Sequence, residues 1–123
     1  MKMLAITLWL LGLSALAQSP TPLTSVTIGG KNVLANSAGL TVYTFDPDQL
    51  NVSNCTGGCA AVWPPVTVPA GTAVNPPAAT IVRADGRVQV TFNGHPLYTY
   101  VGDHASGQAN GNGLNGIWHI VTE

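Results

Sequence analysis

Short runs of β-branched, aromatic and other apolar residues recur along the chain, each stopped by turn-forming residues. Thr80-Ile-Val-Arg83 meets the turn Ala84-Asp-Gly-Arg87, then come Val88 to Phe92, the pair Asn93-Gly94, and Pro96 to Val101. Asp-Gly and Asn-Gly accept positive φ at both central positions, as tight hairpin turns require, so the pattern predicts a three-stranded meander. Earlier in the chain, Ser25-Val-Thr-Ile28, Gly29-Gly30, Lys31 to Ala35, a turn near Ser37 to Gly39, and Leu40 to Phe45 repeat that order. Each meander leads through a polar or glycine-rich crossing into an aromatic strand, around Trp63-Pro-Pro-Val66 in one case and Ile117-Trp-His-Ile-Val121 in the other. The expected fold is all-β: two pseudo-symmetric repeats of about four antiparallel strands packed as one domain, with at most one short helical turn near residues 55–62.

Sliding the chain against itself by 55 residues pairs Tyr43 with Tyr98, Thr44 with Thr99, Phe45 with Tyr100 and Asp48 with Asp103. Without a gap, the same shift pairs Val33 with Val88, Gly39 with Gly94, Gly58 with Gly113, Trp63 with Trp118 and Val66 with Val121. Such a period marks two copies of one supersecondary unit. Between them, Pro69 to Pro77 has no useful period and two proline signals, and it reads as a linker. The expected organisation is repeat one over 25–68, a linker over 69–79 and repeat two over 80–123, all within a single β domain of residues 25–123. A lone half would bury too little apolar surface to offset the entropy of ordering its backbone, so the copies are expected to fold together.

Residues two apart in a strand share a face, which groups Tyr43 with Phe45 and Tyr98 with Tyr100. Leu40, Val42, Leu97 and Val101 take the opposite face, so these strands are expected to be central and covered on both sides. Asp48 and Asp103 fall just after Pro47 and Gly102, where each strand must end. A carboxylate there accepts backbone N–H bonds in the turn, and the reading assigns both aspartates that task. Catalysis would need a partner acid, base or metal that spacing alone does not supply.

The amino end combines Lys2, an apolar run from Leu4 to Leu13 and the small-x-small site Ala15-Leu-Ala17. That is the form of a secretory signal peptide over residues 1–17, cleaved after Ala17 and followed by a flexible segment over 18–24. No cysteine follows the site, so the exported chain is expected in the periplasm or outside the cell without a lipid anchor or a stable membrane span. Net charge is −1, from four Lys and Arg against five Asp and Glu, and loss of Lys2 with the leader makes the remainder more acidic. The three remaining cations, Lys31, Arg83 and Arg87, are outnumbered by the acids and form no basic run to neutralise phosphates, which disfavours nucleic acid as a partner.

Cys55 and Cys59 are separated by Thr56, Gly57 and Gly58. Extended, their Cα atoms would stand about 13 Å apart, whereas a helical turn or tight loop brings them to about 6 Å, within disulfide reach. In an oxidising compartment a small-loop disulfide is the leading reading, contributing about 2 kcal/mol by chain entropy. The rival is a redox-active or metal-holding pair, against which stand the absence of C-x-x-C-H and of a nearby histidine to complete a zinc set.

Asp103, His104 and Ser106 carry the letters of a hydrolase triad, but neighbours in one turn seldom form its hydrogen-bond chain, and G-x-S-x-G is absent. His95, His104 and His119 are not echoed between the copies and read as strand-end residues rather than metal ligands. Gly107, Gly111, Gly113 and Gly116 lack the strand and helix of a phosphate loop and read as permissive loop positions. No cofactor and no metal site is expected.

Tyr-x-aromatic-x-x-Asp occurs twice, followed first by Cys55-Thr-Gly-Gly-Cys59-Ala-Ala-Val-Trp63-Pro-Pro65 and then by Gly111-Asn-Gly-Leu-Asn-Gly116-Ile-Trp118. This combination, over nearly all the exported chain, resembles the bacterial secreted-repeat family, also described as predicted lipoproteins bearing that motif. The resemblance implies that the motif residues are Tyr43, Phe45 and Asp48, then Tyr98, Tyr100 and Asp103, with Trp63 and Trp118 closing each copy. It brings no settled activity. The expectation is a non-catalytic binding or envelope-associated module for an unknown protein or cell-envelope ligand, the alternative being a redox or electron-transfer accessory using Cys55, Cys59 and nearby aromatics.

Overall fold

The computed structural model describes residues 22–123. The expected signal peptide, its cleavage after Ala17 and most of the 18–24 segment therefore lie outside the described residues. In chain order the elements are β1 (Leu23–Ile28), β2 (Lys31–Asn36), β3 (Tyr43–Phe45), α1 (Gly58–Val62), β4 (Thr67–Val68), β5 (Ala78–Val82), β6 (Val88–Phe92), β7 (His95–Pro96), a 3-10 turn (Leu114–Gly116) and β8 (Trp118–Ile120). The fold is all-β with antiparallel ladders, interrupted by the five-residue α1.

Local chemistry explains the hairpins. Gly29 and Gly30 turn β1 into β2 with φ of 58° and 79°, and Asn93 and Gly94 turn β6 into β7 with φ of 51° and 82°. Positive φ at both central residues matches the right-handed twist of the flanking strands.

Each repeat's fourth strand completes the other repeat. β3 of repeat one pairs with β8 of repeat two, setting Tyr43 opposite Ile120 and Phe45 opposite Trp118. Reciprocally, Pro65 of repeat one bridges Tyr98, and β4 pairs with β6. Between these halves Tyr43 and Tyr98 bridge each other, the Tyr43 N–H donating to the Tyr98 carbonyl at 2.7 Å and the Tyr98 N–H donating back at 3.0 Å. Equivalent residues that pair with each other must straddle a pseudo-two-fold axis. The repeats are therefore interleaved rather than laid side by side.

The ungapped match between the copies needs one correction. Ala35 bridges Thr41, and Thr91 pairs with Pro96, so β6 matches β2 one residue later than the 55-residue shift implies. Leu34 corresponds to Val90, and Val33 to Gln89 rather than to Val88. The cause is loop length: Asn36 and Leu40 enclose Ser37, Ala38 and Gly39, whereas Phe92 and His95 enclose only Asn93 and Gly94. A one-residue slip turns every side chain to the opposite face, so the shorter loop keeps Val90 inside.

Alternation at the axis sends successive side chains to two cores. Val42 and Leu97 join Leu34, Val66 and Val90 on one side; Tyr43 and Tyr98 join Cys55, Trp63 and Trp118 on the other. The expected coverage of both faces fails at the strand's end, where Val101 is 49% exposed. Beyond Tyr98 the chain keeps two backbone bonds to repeat one, from the Thr99 N–H to the Pro64 carbonyl and from the Val101 N–H to the Val62 carbonyl, and then turns at Val101 and Gly102.

Candidate functional site

Two tyrosine–aspartate pairs cross between the repeats. The Tyr43 hydroxyl donates to Asp103 Oδ2 at 2.5 Å, and the Tyr98 hydroxyl donates to Asp48 Oδ2 at 2.7 Å. Both tyrosines are fully buried, and they leave the axis on one face because their backbones bridge there.

The second oxygen of each carboxylate ties down its own loop. Asp103 Oδ1 accepts the Asn110 N–H at 2.8 Å, and Asp48 Oδ1 accepts the Asn54 N–H at 2.6 Å. The two asparagine side chains then donate to the carbonyl preceding each aspartate, Asn110 to Gly102 at 3.2 Å and Asn54 to Pro47 at 2.8 Å. The bond of each aspartate to its own turn is as the sequence predicts; the reach of the opposite tyrosine, 50 or 60 residues away, has no local signal. Asn54 and Asn110 are not among the sequence-predicted residues, and their one signal is a return at a similar interval after each aspartate.

The environments of the two hydroxyls differ. Tyr43 Oη accepts the Gly111 N–H at 3.2 Å. Tyr98 Oη instead shares a hydrogen bond with Ser53 Oγ at 2.6 Å. Behind Ser53 lies the buried guanidinium of Arg83, donating to Ser53 Oγ at 2.9 Å, Gln89 Oε1 at 2.8 Å and the Cys55 carbonyl at 2.8 Å, with Asp85 at 3.3 Å from its Nε. Arg83 belongs to repeat two and holds a loop of repeat one. Repeat one places Ile28 at the corresponding position, and a repeat comparison alone would pass over Arg83.

Burial governs the electrostatics. It pushes the Tyr98 phenol up to about 12, with the Asp48 carboxylate adding to the rise and Ser53 opposing it. Burial and the Asp103 hydrogen bond raise the Tyr43 phenol as well. Asp48 is also raised by burial, against the lowering effect of the Asn54 and Tyr98 hydrogen bonds. Both tyrosines thus stand as protonated donors at neutral pH.

Around these pairs the motif rings form a column. Phe45 stacks on Trp118 at 4.2 Å between centroids, Trp118 on Trp63 at 3.7 Å, and Trp63 on Tyr100 at 4.3 Å. The tyrosines meet it edge-on, Tyr43 at 5.2 Å from Trp63 and Tyr98 at 5.4 Å from Trp118. The pseudo-two-fold relates these contacts pairwise, with its centre between the tryptophans. Gly111 lies flat on the column: a Cβ there would stand 2.5 Å from Trp63 Cη2.

Cys55 and Cys59 form a disulfide with Cα atoms 5.2 Å apart, brought close by the start of α1. Cys55 is fully buried beside the column. The remaining candidates are not assembled into a site. Both oxygens of Asp103 serve Tyr43 and Asn110, while the His104 N–H donates to Gln108. His119 faces Asp46 at 2.9 Å on the surface, and among the described residues no three metal-ligating side chains converge. A groove of about 290 Å³ lies elsewhere, lined by Leu23, Leu34, Val74, Pro77 and Phe92.

A family model described as a secreted repeat of unknown function matches residues 25–67 and again residues 79–122. The chain belongs to that family. Its two matches embrace both tyrosine–aspartate pairs and both tryptophans, so the crossed arrangement is this secreted-repeat protein's way of joining its copies. No curated protein and no solved structure matches the chain. Among the described residues no helix is long and apolar enough to cross a membrane.

Proposed function

We propose that this secreted-repeat protein is a non-catalytic binding module of the cell envelope, exported by the 1–17 leader and released without a lipid anchor. Its working unit is the single β domain of residues 25–123. The supporting observation is where the motif side chains spend their polar groups: Tyr43, Tyr98, Asp48 and Asp103 bond one another and their own loops across the repeat interface. Groups committed in this way hold the halves together and leave recognition to the exposed loops, such as Asn115 and the Thr56–Gly58 turn. Those loops are uncharged and rich in amide and backbone hydrogen-bonding groups, which suits a polar, uncharged envelope ligand.

The test is co-sedimentation of the exported protein with purified cell-wall polymer and, separately, with membrane vesicles from the source cells. Retention on the polymer, weakened by Asn115→Asp without loss of thermal stability, is the expected outcome. Recovery in neither pellet overturns the binding reading. Intact mass on the native protein checks the export part: an amino terminus at Gln18 with no lipid mass is expected, and an acylated terminus contradicts it.

A further inference from the structure

We infer that the aromatic column is a relay for one-electron oxidation, passing an electron vacancy from the half-buried Tyr100 through Trp63 and Trp118 to the buried pairs Tyr98–Asp48 and Tyr43–Asp103. Continuity is the first support. Tyr100 stacks on Trp63 at 4.3 Å, Trp63 on Trp118 at 3.7 Å, and both buried tyrosines touch a tryptophan edge-on within 5.4 Å. Every neighbouring pair along the route is in van der Waals contact or close to it.

The tryptophan geometry is the second. Trp63 and Trp118 lie 3° from parallel with centroids 3.7 Å apart, so their π faces overlap. Overlapping faces let an oxidised pair share one positive charge between two rings.

Proton management is the third. A phenol that loses an electron becomes a strong acid, and a buried tyrosyl radical forms readily only where a base can take the proton. Tyr98 holds such a base at 2.7 Å and Tyr43 one at 2.5 Å. The hydroxyl–carboxylate bonds that join the two halves thus also provide each phenol with a proton acceptor. The column also has direction: Tyr100, an oxidisable ring, sits at one end, and Phe45, which is not, sits at the pseudo-equivalent other end.

The step balances as follows. A one-electron oxidant at the surface, an organic radical or a high-valent metal complex, takes one electron from Tyr100 or Trp63. Trp63 refills Tyr100 where the electron left from there, Trp118 refills Trp63 and Tyr98 refills Trp118, while the Tyr98 hydroxyl proton moves to Asp48 Oδ2. What remains is a neutral tyrosyl radical, a neutral carboxylic acid and an oxidant reduced by one electron; Tyr43 and Asp103 do the same from Trp63.

Flash-generated tris(bipyridine)ruthenium(III) is the probe, with transient absorption of the folded protein as the readout. A tryptophan radical should give way to a long-lived tyrosyl radical, and deuterium oxide should slow that conversion. The chain has three tyrosines, so Tyr43→Phe with Tyr98→Phe leaves only Tyr100; this variant should lose the long-lived tyrosyl signal and prolong the tryptophan radical. Trp63→Phe should cut the tyrosyl yield. A long-lived tyrosyl signal that survives the double substitution overturns the relay. If the double variant does not fold, the unmodified protein decides: conversion without a deuterium effect, or no conversion, overturns it.

Discussion

The hydroxyl of Tyr43 sits 2.5 Å from the carboxylate of Asp103, 60 residues along the chain and in the other repeat. The Tyr98–Asp48 bond mirrors it, so each half supplies the donor for the other half's acceptor. With the fourth strands exchanged as well, neither repeat can complete its own core. A single cooperative transition follows from this, since separating the copies strips both of strands and hydrogen bonds together.

The two hydroxyls should differ in worth. Tyr43→Phe leaves Asp103, 6% exposed, and the Gly111 N–H without their partner, costing about 2–3 kcal/mol. Tyr98→Phe leaves the half-exposed Asp48 reachable by water and should cost about 1 kcal/mol. Urea midpoints measure both, and equal costs would refute the ordering.

Arg83→Met should destabilise by about 3 kcal/mol, because it strands the Cys55 carbonyl and the buried Gln89 amide together. The exposed Arg87, paired with Asp85 at 2.8 Å, provides the control: Arg87→Met should leave the midpoint essentially unchanged.

Gly111→Ala drives a methyl group into the Trp63 ring, and the rigid stack cannot yield without moving Trp118. A loss of about 2–3 kcal/mol is expected, with a change in tryptophan fluorescence and near-ultraviolet circular dichroism.

Alkali should unfold the protein through its tyrosines. A phenol whose folded pKa lies above the value of about 10 in an unfolded chain contributes stability that is complete below pH 10. For Tyr98 that contribution is lost as pH rises through about 12. Phenolate absorbance from the buried tyrosines should therefore appear together with the loss of circular dichroism; ionisation within an intact fold would contradict the assignment.

Thr91 has a buried hydroxyl with no hydrogen-bond partner, at the position where repeat one carries Ala35. Thr91→Val removes an unsatisfied polar group at nearly constant volume and should stabilise by about 1 kcal/mol. A lower melting temperature would point to a partner for that hydroxyl.

Short-range chemistry was legible in the residue order. Gly29-Gly30 and Asn93-Gly94 turn where they do because φ preference is a property of the residues themselves, and the alternation around Tyr43 and Tyr98 divides side chains between two faces wherever a strand forms. The echo of one copy in the other, the all-β class and the proximity of Cys55 to Cys59 rest on the same local rules. Choice of partner does not. That β8 completes repeat one, that Tyr43 bonds Asp103, that Arg83 grips the Ser53–Cys55 loop and that Val33 aligns with Gln89 were settled only when two halves closed about a common axis. Strands and polar groups far apart in sequence have many chemically suitable mates, and only the packing of the whole chain decides among them.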